Sequence, residues 1–195
     1  MTSARRLILA SASPRREELL RQLGVPFTVV RSDLPEELMG GSPVESVRAL
    51  ALAKARAVAG RVATGVVLGA DTVVVLDGAV FGKPASLDDA RGMLRALRGR
   101  SHQVITGVAL VEASEGAGEA PSEVLAVVTL VQMRQYGEDE IDAYVATGEP
   151  VDKAGAYAIQ GEGGKLVSRV DGCYTNVVGL PLGTTRRLLE AWGLL

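Results

Sequence analysis

The chain of 195 residues has little of the side chains on which protein chemistry most often rests. Cys173 is its one cysteine, His102 its one histidine, and aromatic residues make up only 4% of it. A single cysteine excludes an internal disulfide framework and suits a reducing compartment. One histidine beside one cysteine leaves neither a zinc constellation nor a Ser-His-Asp triad to assemble, so His102 reads as a structural residue. No apolar run approaches the ~20 residues of a membrane helix. A formal net charge of −2 supplies no basic field, so nucleic acid is not the expected partner. The opening MTSARRLILASASPRR places arginines before an apolar run much shorter than the roughly 7–15 residues of a signal-peptide core. Arg15-Arg16 follow at once, so the expectation is mature chain in the cytoplasm.

What is present reads as one globular domain over 1–195, or two lobes sharing a sheet, with an apolar fraction of 47%. Lysine occurs only at Lys54, Lys83, Lys153 and Lys165, in a chain whose cations are otherwise arginine. Such a chain has reason to keep lysine where a compact ammonium is needed. Strands are expected over Leu7–Ala10, Pro26–Val30, Val66–Leu76, Gln103–Val111, Val124–Met133 and Leu166–Val170. The third is read as interrupted by Gly69 and Asp71, and Asp77-Gly78 is a strong hairpin signal. Helices are expected from Pro14 to Gly24 and from Pro43 to Gly60, the second opened by a Ser42/Glu45 capping box. Others follow Ser86, span Glu138 to Val145, and begin near Leu182. Glu112 to Ser122 reads as a surface loop, and the glycine-rich Ala154 to Gly164 stays ambiguous. Strands and helices alternate with hairpins mixed in, which predicts an α/β fold with a mixed central sheet and helices on both faces.

Candidate chemistry begins at LILASASPRREELL. A buried strand ends in Ser11-Ala12-Ser13-Pro14, Ser13 is placed to cap a helix, and Arg15 and Arg16 fall in its first turn. That helix end is already positive, so two guanidinium groups there describe a phosphate site, unless both are solvated and offset by Glu17 and Glu18. Asp71 sits inside an apolar strand, where an unpaired carboxylate is costly. It reads either as a general base or metal ligand, or as an acceptor of backbone N–H groups at a strand break. Gly69 beside it signals a bulge or the close approach of another backbone or a ligand. Lys54 is read on the polar side of its helix, and Lys83 follows the hairpin; each alone suits a surface lysine. Glu36 and Glu37 lie in a proline-containing turn. Neither a Walker phosphate loop nor a G-x-G-x-x-G motif is present. Cationic groups at a helix end, with Glu36, Asp71 and Asp152 as carboxylates, suit a polyphosphate substrate carrying a divalent cation.

The run Ser11-Ala12-Ser13-Pro14-Arg15-Arg16 with Glu18-Leu19-Leu20 resembles the signature of the Maf proteins, a family of nucleoside triphosphate pyrophosphatases. Further matches are Ser32-Asp33 with Glu36, Leu52-Ala53-Lys54, Gly69-Ala70-Asp71-Thr72-Val73-Val74, Gly82-Lys83-Pro84 and Gly99-Arg100 with His102, Val104 and Thr106-Gly107. Asp152-Lys153-Ala154-Gly155-Ala156-Tyr157-Ala158-Ile159-Gln160-Gly161 and Asn176-Val177-Val178-Gly179-Leu180-Pro181 complete the series. Tyr174-Thr175 departs from the acidic-aromatic pair expected before the asparagine.

The resemblance implies a fold like that of Maf and ITPase proteins, two lobes around a cleft. It implies hydrolysis between the α- and β-phosphates with Mg²⁺ or Mn²⁺, and Asp71 as the catalytic base. Glu36 and Asp71 are implied as metal ligands. Ser11, Ser13, Arg15, Arg16, Lys54, Thr72, Lys83 and Gln160 are implied for substrate binding and selection. Tyr-Ala-Ile-Gln-Gly resembles the branch acting on dTTP and UTP, and the amide of Gln160 suits the N3–H and O4 edge of a pyrimidine. The alternatives are 7-methyl-GTP, CTP or a modified pyrimidine as substrate, or a non-enzymatic nucleotide-binding regulator of septum formation. No membrane partner is expected, and assembly stays open between monomer and homodimer.

Overall fold

The computed structural model describes residues 5–34, 41–113 and 120–195. Strand β1 (Leu7–Ala10) is buried along its whole length and pairs in parallel with β2 (Phe27–Val29) and β3 (Gly65–Leu76), Leu7 facing Phe27 and Val66. Helix α1 (Pro14–Arg21) makes the crossover from β1 to β2, and α2 (Pro43–Ala59) the next. The expected capping box forms, the Ser42 hydroxyl accepting from the Glu45 N–H while the Glu45 carboxylate accepts from the Ser42 N–H. Ser13 does stand at the N-cap of α1, but its hydroxyl makes no capping bond.

Strand β3 is not interrupted at Gly69 and Asp71; its twelve residues form one strand. It turns through Asp77 and Gly78, both at positive φ (50° and 82°), into β4 (Ala79–Phe81), with Leu76 facing Ala79. Two left-handed residues in a two-residue loop match the twist of the flanking strands. Helix α3 (Leu87–Leu97), capped by Ser86, leads to β5 (Ser101–Ala113) and β6 (Ser122–Met133). The connecting residues 114–119, in the expected surface loop, lie outside the described residues. After α4 (Glu138–Ala146), the ambiguous glycine-rich stretch resolves into 3₁₀ turns at Glu149–Asp152, Ala154–Ala156 and Glu162–Leu166. Strand β7 (Val167–Asp171) lies antiparallel on β6, followed by α5 (Tyr174–Val178) and α6 (Leu182–Ala191). The sheet order is β2-β1-β3-β5-β6-β7, with β4 also on β3.

The chain divides into two compact units, one of residues 1–71, 106–127 and 179–195, the other of 72–105 and 128–178. In the first, Ile8, Ala10, Val67, Ala109 and Val111 present one sheet face to Ala51, Ala55 and Val58 of α2. Small residues dominate this contact, so helix and sheet approach closely. A Cβ built on Gly69 would lie 2.2 Å from the Ala51 carbonyl oxygen, and one on Gly107 would lie 2.3 Å from that of Val47. Gly69 therefore marks the approach of another backbone, and that backbone is α2. The second unit packs Leu94 and Leu97 of α3 and Ile141, Tyr144 and Val145 of α4 with Val74, Val104, Val131 and Met133.

Candidate active site

In the first unit the central feature is an ion pair. Side chains two apart on a strand share a face, so Asp71 points the same way as Gly69, towards α2. Lys54 lies on the α2 stripe of Val47, Leu50, Ala51 and Val58, spaced by three, four and seven residues. The Lys54 Nζ donates to Asp71 Oδ1 at 2.6 Å, with the two residues 4% and 5% exposed. The reading of Lys54 on the polar side of α2 is thus corrected: it faces the core. Residue type had argued for the surface, whereas the phase of the apolar stripe pointed inward.

The turn from β1 into α1 is built from the serines. Ser11 is buried, and its Oγ accepts from the Ser13 N–H at 3.1 Å, which fixes the entry to α1. Arg15 and Arg16 are both half-buried in the first turn. The Arg16 Nε donates to the Gly179 carbonyl at 2.9 Å, tying this helix to the segment that precedes α6.

The second unit carries the other candidates. Thr72 is half-buried and, as the next residue on β3, points to the face opposite Asp71. Lys83 is exposed after β4, and the Gly155 N–H donates to the neighbouring Gly82 carbonyl at 3.0 Å. The Gly82-Lys83-Pro84 and Lys153-Ala154-Gly155 motifs are thereby stitched together. Asp152 is exposed and ion-paired with Lys153. Gln160 is exposed at the tip of a turn closed by the Gly161 N–H on the Ala158 carbonyl at 3.2 Å. Asn176 donates to the Val104 carbonyl at 2.9 Å and to Thr129 Oγ1 at 3.0 Å, which gives its motif a role in the frame of the fold.

His102 is buried, as expected of a structural residue. Its Nε2 lies 2.8 Å from the Tyr157 hydroxyl, and burial lowers its pKa to about 4. Burial likewise pushes the Tyr157 hydroxyl well above the usual phenol range. Two side chains not singled out from the sequence also stand here. Glu149 and Tyr144 hold the turn that bears Gln160; the only trace of this in the sequence is an acid set between Gly148 and Pro150.

Glu36 lies outside the described residues. Among the described residues no three His, Cys, Asp or Glu side chains gather as a metal cage. Asp71 alone fits a hard cation only as one ligand among substrate phosphates and water, as Mg²⁺ sites on nucleotides commonly are. No helix among the described residues is long and apolar enough to cross a membrane.

A family model described as Maf-like protein matches residues 6–192. The chain is 53% identical over 190 residues to a dTTP/UTP pyrophosphatase of Moorella thermoacetica, covering 97% of this chain and 96% of that one. It is 51% identical over 189 residues to a dTTP/UTP pyrophosphatase of Symbiobacterium thermophilum, covering 96% and 94%. Among solved structures, the Staphylococcus aureus Ham1 protein superposes with a TM-score of 0.53 at 15% identity, covering 96% of this chain and 99% of that one. That likeness concerns the fold, a mixed α/β sheet flanked by helices.

Proposed function

The chain belongs to the family of Maf-like proteins, and on that premise we propose that it hydrolyses dTTP and UTP to the nucleoside monophosphate and pyrophosphate. Identity above one half over nearly the full length of relatives bearing that activity in their names supports the substrate class. The buried Lys54–Asp71 pair is the observation that carries the chemistry. A pocket that only bound anions would gain nothing from a carboxylate, whereas a hydrolase needs one to take a proton from water.

In this reading Asp71 accepts a proton from the water whose oxygen bonds to the α-phosphorus. The bond from that phosphorus to the α–β bridging oxygen breaks, and pyrophosphate leaves. Lys54 orients the carboxylate and offsets its repulsion from the triphosphate. Ser11, Ser13, Arg15 and Arg16 at the start of α1, together with Lys83, answer the charge that grows on the departing group. Mg²⁺ or Mn²⁺, held by Asp71 and Glu36 with phosphate oxygens, would neutralise phosphate charge. Gln160 reads the pyrimidine edge, with Thr72 as a further selecting residue. The reading sets the protein in the cytoplasm, where nucleotides are made and the lone cysteine stays reduced.

Pyrophosphate release from a nucleotide panel with Mg²⁺ or Mn²⁺ tests the proposal. dTTP and UTP should turn over fastest, and Asp71→Asn should lose ~10²-fold or more in kcat while still binding nucleotide. Silence across the panel, or wild-type turnover by Asp71→Asn, would overturn it.

A further inference from the structure

The turn that bears Gln160 is held on both sides by two side chains of the same unit. Before the tip, the Ala158 N–H donates to the Tyr144 hydroxyl at 3.1 Å. After it, the Glu162 N–H donates to Glu149 Oε2 and the Gly163 N–H to Glu149 Oε1, each at 3.1 Å. The Tyr144 hydroxyl in turn donates to Glu149 Oε1 at 2.8 Å, which closes the network. Glu149 has no ion-pair partner among the described residues, so its acceptor capacity goes to this turn. The fit is tight. A Cβ on Gly161 would lie 2.2 Å from Glu149 Oε2, and one on Gly163 would lie 2.5 Å from the Tyr144 hydroxyl oxygen. The glycines flanking Glu162 are therefore shaped to the two side chains that grip them.

We propose that Glu149, acting with Tyr144, is a positioning residue that fixes the Ala158–Gly163 backbone so that Gln160 meets the nucleobase in one orientation. The proposal rests on the reading of Gln160 as the residue that selects the base. An exposed glutamine on a loose turn would lose conformational freedom each time it bound. Backbone N–H groups held by a carboxylate remove much of that loss beforehand. Discrimination between bases needs the amide placed to within a fraction of an ångström, and a misplacement of about 1 Å can lose ~10²-fold.

The test compares steady-state pyrophosphate release on UTP and on GTP for Glu149→Ala, Glu149→Gln, Tyr144→Phe, Gln160→Ala and the double variant Glu149→Ala/Gln160→Ala. Glu149→Ala should lower the UTP:GTP ratio of kcat/KM by roughly tenfold or more, through KM for UTP, with kcat on GTP unchanged. Glu149→Gln, which keeps one acceptor oxygen, should recover part of the ratio. The double variant should discriminate no worse than Gln160→Ala alone. If Glu149→Ala does not fold, Tyr144→Phe carries the same expectation, since it keeps the ring in the core and removes only the hydroxyl. A ratio that collapses in Gln160→Ala but survives in Glu149→Ala or Tyr144→Phe overturns the positioning role and leaves the base reading intact. Equal loss of kcat on both nucleotides also overturns it. An unchanged ratio in Gln160→Ala instead overturns the base reading, and this proposal falls with it.

Discussion

Replacing Lys54 by methionine isolates the ion pair at the heart of the first unit. Methionine keeps most of the length of the aliphatic stem at a residue only 4% exposed, so little apolar burial is lost. What disappears is the ammonium 2.6 Å from Asp71 Oδ1, and Asp71 remains only 5% exposed. A buried carboxylate stripped of its partner typically lowers stability by about 3–5 kcal/mol. In a chain of this length that is a fall in Tm of roughly 6–20 °C. Adding Asp71→Asn removes the stranded charge while keeping its shape, so Lys54→Met/Asp71→Asn should regain about 2 kcal/mol or more over Lys54→Met. Urea unfolding followed by far-ultraviolet circular dichroism gives the stabilities, and pyrophosphate release gives the activity. The double variant should be the more stable of the two yet still inactive, which separates holding the fold from doing the chemistry. A Lys54→Met protein within about 1 kcal/mol of the parent, or a double variant no more stable than Lys54→Met, would refute this account of the pair.

Two other perturbations have equally definite expectations. Gly69→Ala sets a methyl group 2.2 Å from the Ala51 carbonyl and should lower stability by about 1–3 kcal/mol or more while reducing turnover; a parent-like urea midpoint and activity would show that the helix yields freely there. His102 has a folded pKa lowered from 6.5 to about 4 by burial, so the unfolded chain binds the proton more readily between those values. The stability it contributes is complete above pH 6.5 and shrinks as pH falls towards 4, by about 3 kcal/mol in all. His102→Gln should flatten that part of a Tm-against-pH curve, and an unchanged slope would exclude the buried neutral imidazole as its source.

Much of the frame was readable because it rests on local chemistry. Leu7–Ala10, the Ser42/Glu45 capping box and the Asp77-Gly78 hairpin each follow from neighbouring residues, and the structure has them where expected. Gly69 signals close approach by its missing side chain, yet it does not break the strand; glycine receives α2 without disturbing the pairing of β3. The five-residue α5 is too short for its periodicity to show. Among the site residues, Asp71 announced itself as a charge in an apolar run. Its partner did not, because lysine as a residue type points to the surface while only its phase with Val47, Leu50, Ala51 and Val58 points inward. Glu149 and Tyr144 act on a turn more than ten residues further on, a relation that no local pattern carries.

The shallow seat of α2 bears on a peculiarity of composition. Where Val47, Ala51 and Ala55 rest on Gly107 and Gly69, backbone meets backbone, and the helix has no slack with which to rise or sink. The gap between α2 and Asp71 is therefore of fixed width, filled by a straight chain ending in a small round cation. A guanidinium, flat, broad and one atom longer, would have to lever the helix out of its notches to reach the same oxygen. In a protein that writes most of its positive charges as arginine, the two missing side chains at 69 and 107 favour lysine as the residue that fits at 54.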